Sequence, residues 1–125
     1  MILRLIRQYK KGNAILDAGC GTGLILRKLP KGTIGIDINP RNIKKAKKHA
    51  PFAKVIYSDI ERLPFKKETF TTIVSTEVIE HQPNPILTIS ELFRVLKKGG
   101  VLIGSVPAIS PIWFLRFLSS TCPRG

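Results

Sequence analysis

Cysteine is nearly absent. Cys20 and Cys122 are too few and too far apart for a disulfide framework or a metal-ligand spacing, so both read as free thiols in a reducing compartment. Long apolar runs are missing too. Met1 to Ile6 is broken by Arg4 and followed by Arg7, Lys10 and Lys11, too short for a signal-peptide core or a membrane span. The most apolar segment, Val101 to Leu118, is interrupted by Gly104, Pro107, Pro111 and Arg116, which predicts a strand, a turn and a short helix, not membrane insertion. A cytoplasmic location is the resulting expectation. Acids are scarce as well: 8 Asp and Glu face 21 Lys and Arg, for a net charge of +13. A field of that sign favours polyanions such as RNA or an anionic membrane surface. No aromatic residue is interleaved with the Lys44, Lys45, Lys47, Lys48 cluster, however, which favours reading these lysines as a solvated helix face.

What the chain does carry is concentrated in Ile15-Leu16-Asp17-Ala18-Gly19-Cys20-Gly21-Thr22-Gly23, where apolar residues run into an acid and then into three alternate glycines. This pattern predicts a buried strand, a tight turn and a helix beginning near Thr22, with a ligand pocket where backbone without Cβ comes close.

The 125 residues suit a single domain, with a core over 14–107 and an apolar tail over 108–125. Strand and helix signals alternate, the pattern of an α/β fold with a doubly wound parallel sheet. Strands are expected at Ala14–Asp17, Thr33–Asp37, Lys54–Ser58, Thr71–Ser75 and Val101–Val106, and helices at Gly21–Leu29, after the Asn39-Pro40 cap, and from Asn84-Pro85 to Gly99-Gly100. Right-handed crossovers give a five-stranded, Rossmann-like order 3-2-1-4-5.

Five of the eight acids fall where such a sheet would hold a ligand. Asp37 closes the second strand twenty positions after Asp17, and an acid there can accept hydrogen bonds from both ribose hydroxyls of an adenosine. Asp59 closes the third strand, where it can accept from an exocyclic amine while the Ile60 N–H donates to a ring nitrogen. Capping of a local turn is the alternative use of either acid. Glu77 and Glu80 follow the fourth strand. The glycines are spaced G-x-G-x-G, unlike the G-x-G-x-x-G of a dinucleotide site, and the leading acid suits a cationic ligand better than a phosphate.

These residues resemble the class I S-adenosylmethionine-dependent methyltransferases of the small-molecule type, through "ILDAGCGTG", "GIDIN", "SDIERLPF", "IVSTEVIEH" and "ELFRVLKKGGVLIGSVP" in order from Ala14 to Pro107. The resemblance implies that Asp17, Gly19, Gly21 and Gly23 hold the methionine part of S-adenosylmethionine. It implies that Asp37 binds the ribose, Ile38 covers one adenine face, Asp59 and Ile60 read the adenine edge and Thr76 sits near the sulfonium. The implied reaction is an in-line methyl transfer in which the protein mainly aligns a small-molecule or lipid-like acceptor, so no general base need be visible. His81 is the candidate if an acceptor hydroxyl needs one. Glu77, Glu80 and His81 would share one helix face and could ligate a divalent metal, as in a similar motif of a small-RNA methyltransferase family. That motif adds a downstream histidine, whereas His49 lies upstream, so no metal is assigned.

The family usually adds a sixth and a seventh strand as an antiparallel hairpin, and this chain is expected to be truncated before both. Its fifth strand would then be an open edge, to be covered by the tail Ile112–Leu118 or paired with a second copy in a homodimer. Three functions stay open: a methyltransferase for a small or lipid-like acceptor, a cofactor-binding module without turnover of its own, and an RNA methyltransferase drawn in by charge. The last lacks the Asn/Asp-Pro-Pro-Tyr block of nucleic-acid amino methyltransferases, since Ser75-Thr76-Glu77-Val78 stands there.

Overall fold

A computed structural model describes residues 2–76, 78–106 and 110–116. Helix α1 (Ile2–Tyr9) is followed by β1 (Ile15–Ala18), β2 (Ile34–Asp37), α2 (Pro40–His49), β3 (Lys54–Tyr57), β4 (Phe70–Thr76), α3 (Pro85–Val95), β5 (Leu96–Val106) and β6 (Ser110–Arg116). The sheet order is β3-β2-β1-β4-β5-β6, parallel except for the antiparallel β5–β6 pair. The five parallel strands therefore follow the expected order 3-2-1-4-5. All four residues of β1 are buried because the strand is central and helices cover both faces.

One face packs Leu16, Ile36, Ile73 and Leu102 against Leu92 and Val95 of α3. On the other, Val74, Val101 and Ile103 meet Ile6 of α1, while Leu26 and Ala46 cluster beside them with Cys20. The register pairs Asp17 with Gly35 and with Val74, which puts Asp17, Asp37 and Thr76 on this second face by strand alternation.

Helix α2 begins as its sequence requires: Pro40 sits in the first turn and the Asn39 side chain accepts the Arg41 N–H at 2.8 Å. Asn84 caps α3 in the same way, accepting the Leu87 N–H at 3.1 Å. The loop before β4 is pinned to α3 by Glu91 and Arg94. Arg94 donates to the Glu91 carboxylate and to the carbonyls of Phe65 (2.8 Å) and Leu63 (3.1 Å), while Glu91 accepts the Leu63 N–H at 2.6 Å. The bond from Arg94 holds the Glu91 carboxyl below its ordinary range.

Three expectations change. The helix over Gly21–Leu29 is instead a set of turns ending in a short 3₁₀ helix, Leu26–Lys28. Gly21 and Gly23 take left-handed φ values of +56° and +89°, which a right-handed helix cannot include, and Leu29 is already extended ahead of Pro30. Helix α3 stops at Val95, before the Gly99-Gly100 pair, because Leu96 turns extended and pairs with Phe70, so β5 starts there. The third change concerns the edge of the sheet. Residues 110–116 form a sixth strand that pairs with β5 from Val101↔Arg116 to Val106↔Ser110. Of the two expected occupants of the fifth-strand edge, the tail or a second copy, the tail takes it over residues 110–116, as a strand where a short helix was expected, and so satisfies the backbone groups of the ladder within the chain. Residues 117–125 of the tail lie outside the described residues. No helix among the described residues is long and apolar enough to cross a membrane.

Arg94→Ala should lower stability by about 2 kcal/mol, the scale of hydrogen bonds to a charged group, in urea unfolding near neutral pH. Because the folded Glu91 pKa is depressed, its contribution is present above the ordinary glutamate range and is lost as pH falls through the folded value. The gap between wild type and variant should therefore narrow in acid. An unchanged gap would mean the ion pair does not anchor this loop.

Candidate functional site

Beyond Ala18 the chain folds back over the end of β2. The N–H groups of Gly19 and Cys20 both donate to the Ile36 carbonyl, at 2.9 and 2.7 Å. Gly19 has φ +79°, and a Cβ built on it would sit 2.3 Å from Val78 Cγ2. Gly19 is thus fixed by conformation and by a close neighbour at once. Gly21 differs, because a Cβ there would meet nothing within 4 Å, so only its φ of +56° demands glycine.

Asp37 ties this loop to β2. Its Oδ2 accepts the Gly21 N–H at 3.0 Å, and its Oδ1 accepts the Asn39 N–H at 2.8 Å and Asn42 Nδ2–H at 3.4 Å. Three donors fix the carboxylate without filling all its lone-pair positions. Asp59 uses Oδ1 to accept the Glu61 N–H at 2.9 Å, which is the turn-capping role open to it, and it also faces solvent at the cleft.

That cleft, of ≈ 180 Å³, lies along the carboxyl ends of the strands. Gly19, Asp37, Ile38, Asp59, Ile60 and His81 line it, as do Ile36, Ser58, Val78 and Gln82. Ile38 is 56% exposed there, whereas Ile60 is buried and belongs to the core. An apolar surface at Ile38, acids at two strand ends and a floor of backbone suit a flat, polar-edged group such as a purine nucleoside. Ser58, Val78 and Gln82 escaped sequence reasoning, although the "SDIERLPF" and "IVSTEVIEH" blocks contain Ser58 and Val78; no residue chemistry distinguishes them, only position.

Asp17 is the most unusual group. It is 1% exposed, and its Oδ2 has no hydrogen-bond partner among the described residues. Burial, with the charge of Asp37 adding to it, pushes its pKa up to about 7. A lone carboxylate in that state is a receptor for a cation or a strong donor. The Cys20 thiol is pushed up to about 12 by burial and by the same two acids, so it is no nucleophile at neutral pH.

Asp17, Gly21, Gly23 and Thr76 do not line the cleft. Gly21 meets it through Asp37, Gly23 packs toward Ala46, and Thr76 is partly buried at the end of β4, opposite Ser105 of β5. His81 is exposed on a three-residue 3₁₀ turn, Ile79–His81, where Glu80 precedes it directly. A shared helix face for the metal reading does not form over this turn. Glu77 lies outside the described residues, and among the described residues no three His, Cys, Asp or Glu side chains converge as ligands.

With this geometry in view, a family model described as a methyltransferase domain matches residues 16–104. The chain belongs to the class I S-adenosylmethionine-dependent methyltransferases. It is similar to the ubiquinone biosynthesis O-methyltransferase of Cereibacter sphaeroides, 34% identical over 132 residues that cover 92% of this chain and 52% of that protein. It is also 36% identical over 114 residues to the chloroplastic 2-methyl-6-phytyl-1,4-hydroquinone methyltransferase of Spinacia oleracea, covering 84% of this chain and 33% of that one. Among solved structures, a SAM-dependent methyltransferase of Thermotoga maritima matches with a TM-score of 0.73 at 28% identity, over 84% of this chain and 49% of that chain. This methyltransferase domain thus spans about a third to a half of the length of the curated relatives it matches.

The glycine geometry gives an ordered pair of substitutions. Gly21→Ala should cost about 1–2 kcal/mol of left-handed strain alone, and Gly19→Ala more, because overlap with Val78 adds to it. Urea unfolding of both variants compares them directly. Equal costs would mean Val78 moves aside freely.

Proposed function

We propose that this chain binds S-adenosylmethionine in the cleft and transfers its methyl group to a small, lipid-like acceptor of the quinol or phenol class. The observation that carries the reading is the cleft lined by Gly19, Asp37, Ile38 and Asp59, with the buried Asp17, whose Oδ2 has no hydrogen-bond partner among the described residues, two positions before Gly19 in the chain. S-adenosylmethionine has the matching chemistry, an adenosine joined to a sulfonium and an ammonium. In this reading Asp17 and the Gly19–Gly23 backbone receive the cationic methionine part, Asp37 accepts from the ribose hydroxyls, Asp59 and the Ile60 N–H read the adenine edge, and Ile38 covers its face. Thr76 stands on the side of the reacting centre. When bound, the cofactor supplies an activated methyl group on a positively charged sulfur.

The chain's own contribution is then orientation and charge. Asp37 is held by three donors before any ligand arrives, so little ordering remains to be done on binding. In this reading His81, exposed on the cleft wall, takes the proton of an acceptor hydroxyl. The acceptor class draws on two supports. Two relatives are named as a hydroquinone methyltransferase and a ubiquinone biosynthesis O-methyltransferase, and Ile86 and Leu87 at the start of α3, a few residues after His81 and Gln82 in the chain, are 81% and 45% exposed.

Calorimetry of the full chain with S-adenosylmethionine tests the cofactor reading. Asp37→Ala should weaken binding by about 2 kcal/mol, some thirtyfold, through loss of charge-assisted hydrogen bonds. Wild-type affinity should rise with pH through the range around 7, because only ionised Asp17 attracts the ligand's cation, and Asp17→Asn should flatten that rise. No binding by the wild type, or full-strength binding by Asp37→Ala, contradicts the assignment.

A further inference from the structure

At the opposite, amino-terminal edge of the sheet lies a larger cavity, of ≈ 370 Å³. It forms between the segment entering β2 and the connection from α2 to β3, which are joined by the Gly32 N–H donating to the Phe52 carbonyl at 3.1 Å. Its floor is apolar: Leu26, Leu29, Ala50 and Ala53 belong to the cluster beneath α2. Arg27, Lys28 and Lys31 make one wall cationic, the His49 imidazole stands on the other side, and no acid lines the cavity. None of these three cations makes an ion pair among the described residues, where Glu91–Arg94 is the pair that forms. Phe52, also lining the cavity, is 71% exposed. The carbonyl end of α2 points this way with its partial negative charge, which Lys47 and Lys48 in the last turn offset.

Unpaired cations over an apolar floor, beside an exposed aromatic ring, match a ligand with two ends. We infer that this cavity is a second binding site, for a phosphate monoester whose apolar or aromatic part lies on Phe52 and the Leu26–Ala50 floor while Arg27, Lys28 and Lys31 hold the phosphate. A lipid headgroup and a soluble phosphate ester both present this chemistry. A polynucleotide fits less well, since one exposed ring gives it a single stacking platform.

The site is not isolated from the glycine loop. The Arg27 N–H donates to the Gly23 carbonyl at 3.0 Å, and His49 Nδ1–H donates to the Thr22 carbonyl at 2.7 Å. A ligand that orders Arg27 and His49 therefore acts on the loop that precedes the cofactor cleft. Any effect it has on binding at one site must appear reciprocally at the other.

Phenyl phosphate, titrated into the isotopically labelled full chain and followed by amide chemical shifts, is the probe. Shifts should concentrate on residues 26–31 and 49–53, with inorganic phosphate and phenol each binding at least about tenfold more weakly than the ester. Arg27→Gln combined with Lys31→Gln should weaken phenyl phosphate about tenfold or more, and Phe52→Ala should remove most of its advantage over inorganic phosphate. All three residues are at the surface of the cavity, so the variants should keep the wild-type spectrum elsewhere. Co-sedimentation with phosphatidylcholine vesicles containing phosphatidic acid, lost in Phe52→Ala, would assign the phosphate to a lipid; phenyl phosphate binding without co-sedimentation would assign it to a soluble ester. Shifts spread evenly over the lysines of α2, or binding unaltered in the Arg27/Lys31 variant, would overturn the site whatever the outcome with S-adenosylmethionine.

Discussion

A carboxylate buried in β1, its Oδ2 without a hydrogen-bond partner among the described residues, sets the terms for the surrounding structure. Asp17 sits 1% exposed in the central strand, with Asp37 near enough to raise its pKa further. Its folded value is about 7 against an ordinary 3.8, so the destabilisation it causes is absent in acid, grows as pH rises and is complete above about 7. A fold accepts such a group only where other contacts outweigh it. Here those contacts are the fully buried strands of a parallel sheet, with Leu16, Ile73 and Leu102 on one face and Val74 and Ile103 on the other. Stability from the core thus offsets a buried charge that, on the proposed reading, the cationic ligand relieves.

The sheet also separates charge. Parallel strands end together, so acids that close successive strands collect at the carboxyl edge even in a chain with net charge +13. The opposite edge gathers the segments that enter β2 and β3, and these bring Arg27, Lys28, Lys31 and His49 to one cavity. Helix α2 connects the two edges: its cap helps fix Asp37 through the Asn39 N–H, and its last residue binds the Thr22 carbonyl. On the proposed reading, the cationic cofactor and an anionic phosphate ester are drawn to different ends of one domain by the same topology.

Strand order, the two helix caps and the acids at strand ends were legible in the sequence, because each depends on a local signal. Asn39-Pro40 and Asn84-Pro85 can begin a helix wherever they occur, and an acid that ends an apolar run marks a strand's carboxyl end in any parallel sheet. The missing helix over Gly21–Leu29 has a local cause in its left-handed glycines, whereas the other two misreadings come from long-range pairing. Leu96 leaves its helical pattern because Phe70 offers it a strand partner, and residues 110–116 become β6 because β5 offers an edge. At the site, Asp17, Asp37 and Asp59 could be singled out by charge. Val78 could not, since its role is to close over Gly19, a contact made only once the segment after β4 folds back across the glycine loop.

Whether Asp17 is a buried acid that a bound cation ionises is read from its own titration. A carbon-detected NMR titration of the aspartate carboxyls, with Asp17 assigned through Asp17→Asn, would follow it in the free chain and with saturating S-adenosylmethionine. The account predicts a midpoint near 7 in the free chain and a fall of at least about one unit when the ligand's cation is bound. An ordinary carboxylate midpoint in the free chain, or one that stays put on ligand binding, would contradict it.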